Sequence, residues 1–378
     1  MLRILTAGES HGPALVSLIE GLPAGLDLDI DAINRELSRR QKGYGRGDRQ
    51  QIERDRVHIL GGAVHGKTIG APLAMMVPNR DYENWRDLDV PPWTRPRPGH
   101  ADLEGAIKYG LDDMRLIAER ASARTTAALV AAGAVAKLLL GAVGIEIGSY
   151  VESIGDVTMG DVETAEGTGE TRLDLTGRSR LAQESDVSCP DPEASARMRA
   201  AIDAAKEAGE SLGGLIVVGA WGLMPGLGSH VHWDRRLDAR LAHALIGIQA
   251  IKGVEIGPAF ENTRLPGTQV HDALYAGLTR RTNRAGGVEG GMSNGETLWL
   301  RAAMKPIPTT VTPIPTVDLA TGEETGTEYQ RSDVCAVPAA AIVTEAMVAW
   351  VLADALLERY GADNMAALVR RVQDDRAT

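Results

Sequence analysis

One stretch of this chain predicts a helix that is apolar on every face. Residues 126–143 are rich in alanine, valine and leucine, and their one charged residue is Lys137. A helix that is apolar all round is buried. Because a membrane span needs about 20 mostly apolar residues, we interpret the stretch as a buried helix of a soluble protein. The rest of the fold must cover it.

The core around this helix must be built from small side chains. Hydrophobic residues make up 44% of the 378 residues, but the chain has a single phenylalanine. Alanine, valine, leucine, isoleucine and methionine must therefore fill the interior. A chain of this length can bury most of its apolar surface without disulfides or a structural metal.

Hydrophobic periodicity predicts a mixed α/β chain. Strands are predicted at 2–7, 14–20, 57–60, 71–77, 212–220 and 298–304. Helices are predicted at 30–43, at 112–140 with a break near Gly133, and at 192–209, 234–248 and 338–359. The polar residues 158–188 predict a surface excursion. No repeat or linker is evident, so we predict one domain over residues 1–378.

The charge and the cysteines exclude several classes of protein. The net charge is −11, which disfavours nucleic-acid and membrane-surface binding. Two cysteines, Cys189 and Cys335, are too few for a disulfide framework or a cysteine metal cluster. The first residues lack a basic region followed by a long apolar run, so we expect no signal peptide and a cytoplasmic location.

One segment reverses the overall charge. Residues 39–56 carry a net charge of +4, and glycines lie in the middle of the segment. Arginine forks bind phosphate and carboxylate groups, and glycine lets the backbone approach a ligand closely. The segment therefore predicts a site for an anionic small molecule. A charged face exposed to solvent, or a nucleic-acid surface, is the alternative.

Two histidines lie in turns of small residues. His11 follows a predicted strand in the sequence GESHG, and His100 lies in PGHAD. Neighbours this small pack little against an imidazole, so both are candidates for proton transfer; a structural role is the alternative. Arg120 and Arg124 share a predicted helix face and would repel each other unless a bound anion or nearby acids compensate.

Two short motifs match known binding sites, one for nucleotide phosphates and one for zinc, but the surrounding sequence does not support either site. The sequence GGAVHGKT at 61–68 fits a nucleotide phosphate-binding loop, but Gly70 and Pro72 oppose the helix that must follow it. A strand–turn–strand is predicted instead. His230 and His232 would share one face of a strand, but no third zinc ligand is evident beyond Asp234. We therefore predict no metal site.

Six motifs, in order, resemble those of the chorismate synthase family. They are GESHG at 8–12, RRQKGYGR at 39–46, PGHAD at 98–102, ERASAR at 119–124, GGVEGGMSNG at 286–295 and RSDVC at 331–335. The resemblance implies a β-α-β sandwich, with helices between antiparallel sheets, and a homotetramer. It implies a lyase that eliminates phosphate from 5-enolpyruvylshikimate 3-phosphate to give chorismate, with reduced FMN as cofactor and NADPH as a candidate reductant.

The resemblance also implies site residues. His11 and His100 match the catalytic histidines, one for the leaving phosphate and one for the flavin, and Asp333 matches a proton-relay acid near the flavin. The positions that match substrate or NADPH contacts are Ser10, Arg40, Arg46 and Arg49. The positions that match FMN contacts are Arg120, Ala121, Ser122, Gln249, Ala250, Gly290, Lys305, Pro306, Ile307, Pro308, Thr309 and Arg331.

Two positions depart from the family pattern. Thr125 stands where the family often has glutamate, which removes one possible acidic partner of Arg124. Pro308 stands in place of a hydroxyl residue, so one FMN contact must be lost or made by a backbone carbonyl. The competing functions are an NADPH-dependent flavin reductase and a non-catalytic binder of anions or RNA through the arginine-rich segment.

Overall fold

The structure is a computed structural model that describes residues 2–47, 52–160, 175–361 and 363–377. The strands are β1 (Arg3–Ala7), β2 (Ala14–Glu20), β3 (His58–Gly61), β4 (Ala63–Val64), β5 (Lys67–Thr68), β6 (Leu73–Pro78), β7 (Glu146–Ile154), β8 (Val157–Thr158), β9 (Gly214–Trp221), β10 (Ile251–Ile256), β11 (Leu274–Tyr275), β12 (Thr279–Arg280), β13 (Val288–Glu289), β14 (Met292–Ser293), β15 (Leu298–Met304), β16 (Pro315–Asp318) and β17 (Glu323–Gly326). The α-helices are α1 (Ile30–Gln41), α2 (Asp102–Tyr109), α3 (Arg115–Ala121), α4 (Thr126–Gly141), α5 (Leu175–Ala182), α6 (Pro192–Glu207), α7 (Leu237–Ile246), α8 (Ala259–Asn262), α9 (Gly267–Val270), α10 (Val337–Tyr360) and α11 (Met365–Arg376).

Two antiparallel sheets form the outer layers. The first has the strand order β1-β2-β6-β3 and the second the order β10-β15-β9-β7-β8. In β2 and β6 every second side chain is buried, for example Leu15 opposite Val77. This alternation gives the first sheet one apolar face, which turns toward the helices.

The central helices fill the space between the sheets. Helix α4 packs on β2 and β6 of the first sheet, α10 packs on β7 and β9 of the second, and α1 contacts both helices. One hydrophobic cluster runs through these layers from Leu2 to Val372. The predicted sandwich of helices between antiparallel sheets is confirmed, whereas the division of the chain into a single domain stays a prediction.

The two central helices cross at very short range. A Cβ atom built on Gly133 of α4 would lie 2.3 Å from the Cβ of Ala346 on α10. The predicted break near Gly133 is therefore wrong, since α4 runs unbroken through this residue. Glycine is needed here because a side chain would collide with α10, and the helix does not bend at this position. The break lies at 122–125, where a 3₁₀ turn, Ala123–Thr125, separates α3 from α4.

A buried carboxylate ties the central helices together. Glu345 on α10 is fully buried and binds Arg39 of α1 through two hydrogen bonds of 2.8 Å. Lys137 of α4 and the hydroxyl of Ser149 on β7 also bind it. Burial raises the pKa of Glu345, but the charges of Arg39 and Lys137 outweigh burial and hold it at about 2. Arg39 and Lys137 therefore have a structural role, as the charged partners of a carboxylate in the core.

Two helical stretches would be able to cross a membrane by length and composition, Arg115–Gly141 and Val337–Tyr360. In the most apolar 18 residues of each stretch, 78% and 83% of the residues are buried inside the protein. Burial of this extent makes them core helices, as predicted for residues 126–143.

The excursion predicted at 158–188 is only partly described. Residues 161–174 lie outside the described residues. The following helix, α5, is not a surface loop, because Leu175, Ser179 and Ala182 are buried against the outer face of the second sheet beside Tyr150.

The local structure at 61–68 and at 230–234 shows what each of the two motif matches forms. The first forms the hairpin β4–β5, as predicted, with His65 and Gly66 in left-handed conformations at its turn. His230 and His232 do not lie on a strand, and His232 contacts Asp234 at 2.6 Å in an exposed position. Within the described ranges, no three His, Cys, Asp or Glu residues form a group that would hold a metal.

We expect Gly133→Ala to lower the free energy of unfolding by about 1–3 kcal/mol, the usual cost of an added methyl group in a filled core. Gly141→Ala, at the end of the same helix, is the control. Its new Cβ would meet open space, so this variant should match or exceed the wild type by up to about 1 kcal/mol. Urea unfolding measures both, and equal stabilities would contradict the close crossing.

Candidate active site

A cleft of about 1160 Å³ opens where the central helices begin. The first residues of both helices line this cleft: Thr126 of α4, and Ala339, Ala340 and Val343 of α10. Helix N-termini carry partial positive charge, which favours an anionic ligand. The cleft walls come from segments that are far apart in the sequence.

Most of the predicted site residues meet in this cleft. They are Ser10, His11, Arg40, Arg46, His100, Ala121, Ser122, Gln249, Ala250, Lys305, Ile307, Pro308, Thr309, Arg331 and Asp333. Arg120 and Pro306 are not among the lining residues, and Gly290 lines a separate depression with Asp272 and Arg284. Arg49 lies outside the described residues.

Arg40 is a buried cation that lines the cleft, and Arg46 beside it has a side chain that is mostly buried. Arg40 is 3% exposed, and the Arg46 side chain is 9% exposed. The Nε atom of each is buried and has no hydrogen-bond partner within the described residues. The alternative of a solvated charged face therefore does not hold for these two, whereas it does fit Arg54 and Arg56, which are exposed.

The charge of Arg40 is destabilised by its surroundings. Burial lowers the pKa of Arg40 to about 10, against the charge of Asp55; Arg124 and Arg46 also lower it, and Asp333 opposes them. The nearest contact with Asp55 is long, at 3.5 Å. A cation held in this way gains from an anion that enters the cleft.

Arg124 is fully paired by acids from another segment. Both oxygens of Asp55 accept from its Nη1, at 2.7 and 2.8 Å, and Asn79 Oδ1 accepts from its Nε at 2.8 Å. The departure at Thr125 therefore leaves Arg124 with acidic partners. Arg124 and Arg120 coexist because Asp55 compensates the charge of Arg124, whereas Arg120 points elsewhere and donates to the carbonyls of Thr6 and Gly8.

His11 is held by a carboxylate and an indole ring. Its Nδ1 lies 2.6 Å from Oε1 of Glu119, and its backbone N–H donates to Oε2 of the same residue at 2.6 Å. The ring lies 4.4 Å from the Trp85 ring, centre to centre. Nε2 is therefore the nitrogen that can exchange a proton with a ligand.

His100 has a parallel arrangement. Its Nδ1 contacts Asp102, which is fully buried. Arg97 binds both oxygens of Asp102, at 2.8 and 3.1 Å, and stacks on Trp93 at 4.4 Å. Burial raises the pKa of Asp102, but hydrogen bonds from His100 and Arg97 outweigh burial and lower it to about 2. Asp102 is thus an ionised anchor for His100.

Asp333 is tied to the arginine-rich segment. Its Oδ2 lies 2.8 Å from Nη1 of Arg46, and its Oδ1 accepts from the backbone N–H of Gly47 at 2.7 Å. Arg331, two residues earlier, binds Asp81 instead, at 2.6 Å. The N-terminal cap position of α10 is Ala336, so Asp333 does not occupy it.

The loop after β15 forms the opposite wall. Lys305 donates to the carbonyl of Gly99 at 2.8 Å, and burial, with the charge of Lys252, lowers its pKa. Its backbone N–H binds Ala250, which has a strained φ of +66°. Strain of this kind clusters at functional sites. Beside it, Oε1 of Gln249 is buried without a partner among the described residues.

Sequence reasoning missed the residues that orient the histidines. Asp102 lies two residues after His100, and this spacing was a usable signal. Glu119 is 108 residues away from His11, so no local pattern reveals the contact. Trp85 and Arg97 also went unrecognised, because their roles depend on the folded loop between β6 and α2.

These residues define a class of protein. Two imidazoles with oriented ring nitrogens, beside desolvated arginines, are the groups with which an enzyme can transfer protons to and from an anionic small molecule.

Comparison with known proteins then gives the family. A family model described as chorismate synthase matches residues 2–357. The chorismate synthase of Chlorobaculum tepidum is 52% identical over 100% of this chain and 98% of its own, and that of Rubrobacter xylanophilus is 54% identical over 95% and 92%. A chorismate synthase crystal structure matches with a TM-score of 0.80 and 43% identity, over 99% of this chain and 96% of the other. The chain belongs to the chorismate synthase family, whose members are lyases of chorismate biosynthesis in the shikimate pathway.

We expect Arg40→Met to weaken the binding of inorganic phosphate by about 1.5–3 kcal/mol, the value of a charge-assisted hydrogen bond. The stability of the unliganded protein should stay equal or rise, because a desolvated cation is removed. Arg35→Met is the control, since Arg35 lies on the same helix and is 66% exposed. Calorimetric titration measures the affinity, and an unchanged affinity in Arg40→Met would return this residue to a purely structural role.

Proposed function

We propose that this chain catalyses the 1,4-elimination of phosphate from 5-enolpyruvylshikimate 3-phosphate, giving chorismate, with reduced FMN bound in the cleft. One observation carries the proposal: two carboxylate-bound histidines and two arginines whose Nε atoms are buried without a partner among the described residues line one cleft of a chorismate synthase fold. The substrate is a small molecule with two carboxylates and a phosphate. Arg40 and Arg46 supply cations of the kind that such a molecule requires.

The chain's own groups can move the protons that the elimination requires. In our proposal one of the two histidines donates a proton from Nε2 to the departing phosphate, and the other serves the flavin. Asp333 is the relay carboxylate, and its contacts with Arg46 and the N–H of Gly47 hold it in place.

The residues fit a flavin. Oε1 of Gln249 is a buried acceptor without a partner in the described part of the chain, and a flavin ring offers an N–H for such a group. Lys305 and Arg331 are cations that suit its phosphate, while Ala121, Ser122, Ala250, Ile307, Pro308 and Thr309 complete the proposed contacts. When bound, reduced FMN would supply an electron-rich ring that assists the loss of phosphate and accepts the substrate's ring proton. Pro308 can contribute only its carbonyl to hydrogen bonding.

Three proposed FMN contacts are less direct. Arg120 holds the turn that carries His11, through the carbonyls of Thr6 and Gly8. Pro306 lies outside the lining of the cleft, and Gly290 lies at a separate depression of the same chain. The buried cleft residues, rather than these three, are the contacts to test first.

The remaining proposals concern the setting of the enzyme. We propose a cytoplasmic homotetramer that binds neither nucleic acid nor membranes, as the resemblance and the acidic composition indicate. An NADPH-dependent flavin reductase is the runner-up function, with NADPH held by Arg40, Arg46 and Arg49. An anion or RNA binder is the third, and the proton-transfer residues of the cleft disfavour it.

We expect the purified protein to form chorismate and phosphate in equal amounts under anaerobic conditions with dithionite-reduced FMN. No turnover should occur with oxidised FMN under air. Chorismate absorbance and a phosphate assay follow the reaction, and NADPH oxidation is followed in parallel. Oxidation of NADPH without chorismate formation would favour the reductase, whereas full turnover without flavin would exclude the proposed cofactor.

We expect His100→Ala to lower kcat by about 10²–10⁴-fold, the usual range for a positioned acid or base, while FMN still binds. His232→Ala is a matched control: His232 also contacts an aspartate two residues later, but its side chain is 60% exposed and lies outside the cleft. The control should keep the wild-type kcat. Equal rates in both variants would make His100 structural.

A further inference from the structure

Glu119 uses both carboxylate oxygens on one histidine. Oε2 accepts from the backbone N–H of His11, and Oε1 lies beside Nδ1, each at 2.6 Å. The backbone N–H of Ser10 also donates to the carbonyl of Glu119, at 3.0 Å. With Trp85 against the ring, both the turn and the imidazole are fixed in orientation. The Glu119 side chain is 16% exposed, so water competes little for its oxygens.

We propose that Glu119 is a positioning residue that sets the tautomer of His11. A carboxylate accepts hydrogen bonds and donates none, so the nitrogen beside it must carry a proton. This keeps the proton on Nδ1 and directs Nε2 to the cleft. A histidine that exchanges protons with a ligand at Nε2 needs Nδ1 to stay protonated throughout, whether it acts as acid or as base. The inference rests on the proposed function, in which His11 transfers protons.

The contact with the backbone makes this role testable by one substitution. In Glu119→Gln the amide oxygen must face the N–H of His11, because the amide NH2 would meet it donor to donor. The NH2 then faces Nδ1, which can accept only without a proton. The single proton of the neutral imidazole is thereby moved to Nε2. A ring in this state can neither take up a proton at Nε2 nor release one readily.

The experiment uses solid-state ¹⁵N NMR of the full chain labelled with [¹⁵N]histidine, at a pH where His11 is neutral. Signals of His11 are assigned by their loss in His11→Asn. We expect Nδ1 to be protonated in the wild type and Nε2 in Glu119→Gln. Glu119→Asp keeps the charge and should keep the wild-type tautomer. Glu104→Gln, an exposed residue of α2, is the control and should change nothing.

Kinetics supply the second readout. With substrate and reduced FMN, kcat of Glu119→Gln should fall by about 10²–10⁴-fold, with KM within a few-fold of the wild type. In serine proteases the corresponding wrong tautomer costs about 10⁴-fold. A wild-type tautomer and kcat in Glu119→Gln would overturn the inference, as would a lower melting temperature with both unchanged. The NMR result does not require turnover, so a wild type that makes no chorismate would overturn the proposed function without affecting this test.

Discussion

The contact between α4 and α10 determines the distance between the two sheets, and the rest of the structure depends on that distance. Each helix carries one sheet, so the distance between the sheets is set where Gly133 meets Ala346. A chain with one phenylalanine cannot fill a wide gap between layers, and small residues at the crossing keep the gap narrow. Glu345 adds a polar constraint at the same level, because its partners come from α1, α4 and β7. An arrangement of the helices that separated Glu345 from these partners would leave a buried charge uncompensated, which is strongly destabilising.

The cleft depends on this frame, because its walls are segments that begin or end at the sheets and the central helices. The turn after β1 carries His11, the loop before α2 carries His100, and the segment before α10 carries Asp333. Two of these groups are oriented by a residue from another segment: Glu119 orients His11, and Arg46 holds Asp333. His100 is held within its own segment, by Asp102 and by Arg97, which binds Asp102. The site is thus preorganised before a ligand arrives. The Nε atoms of Arg40 and Arg46, which have no partner among the described residues, are donors that a bound anion can satisfy.

Much of the site could be predicted because its chemistry lies in short motifs. Glycine-rich turns that hold His11 or His100 are local features, and the structure brings these residues into one cleft with Arg46 and Asp333. What the sequence could not show is the direction in which neighbouring arginines point. Arg39 turns inward to Glu345, 306 residues away, whereas Arg40 faces the cleft. The break wrongly placed at Gly133 has the same origin, since helix propensity cannot reveal that another helix occupies the space of a side chain.

The position of α10 in the chain has a consequence for biosynthesis. This helix begins at residue 337 and covers the inner face of the second sheet, while the segment just before it supplies Arg331 and Asp333. A ribosome therefore completes both sheets and α4 before the helix that joins them exists. Until then the apolar face of the second sheet is not buried by its helix. Nascent chains on neighbouring ribosomes can therefore aggregate through this exposed surface. Ligand binding cannot guide the early stages of folding, because the cleft is assembled only when this late helix docks.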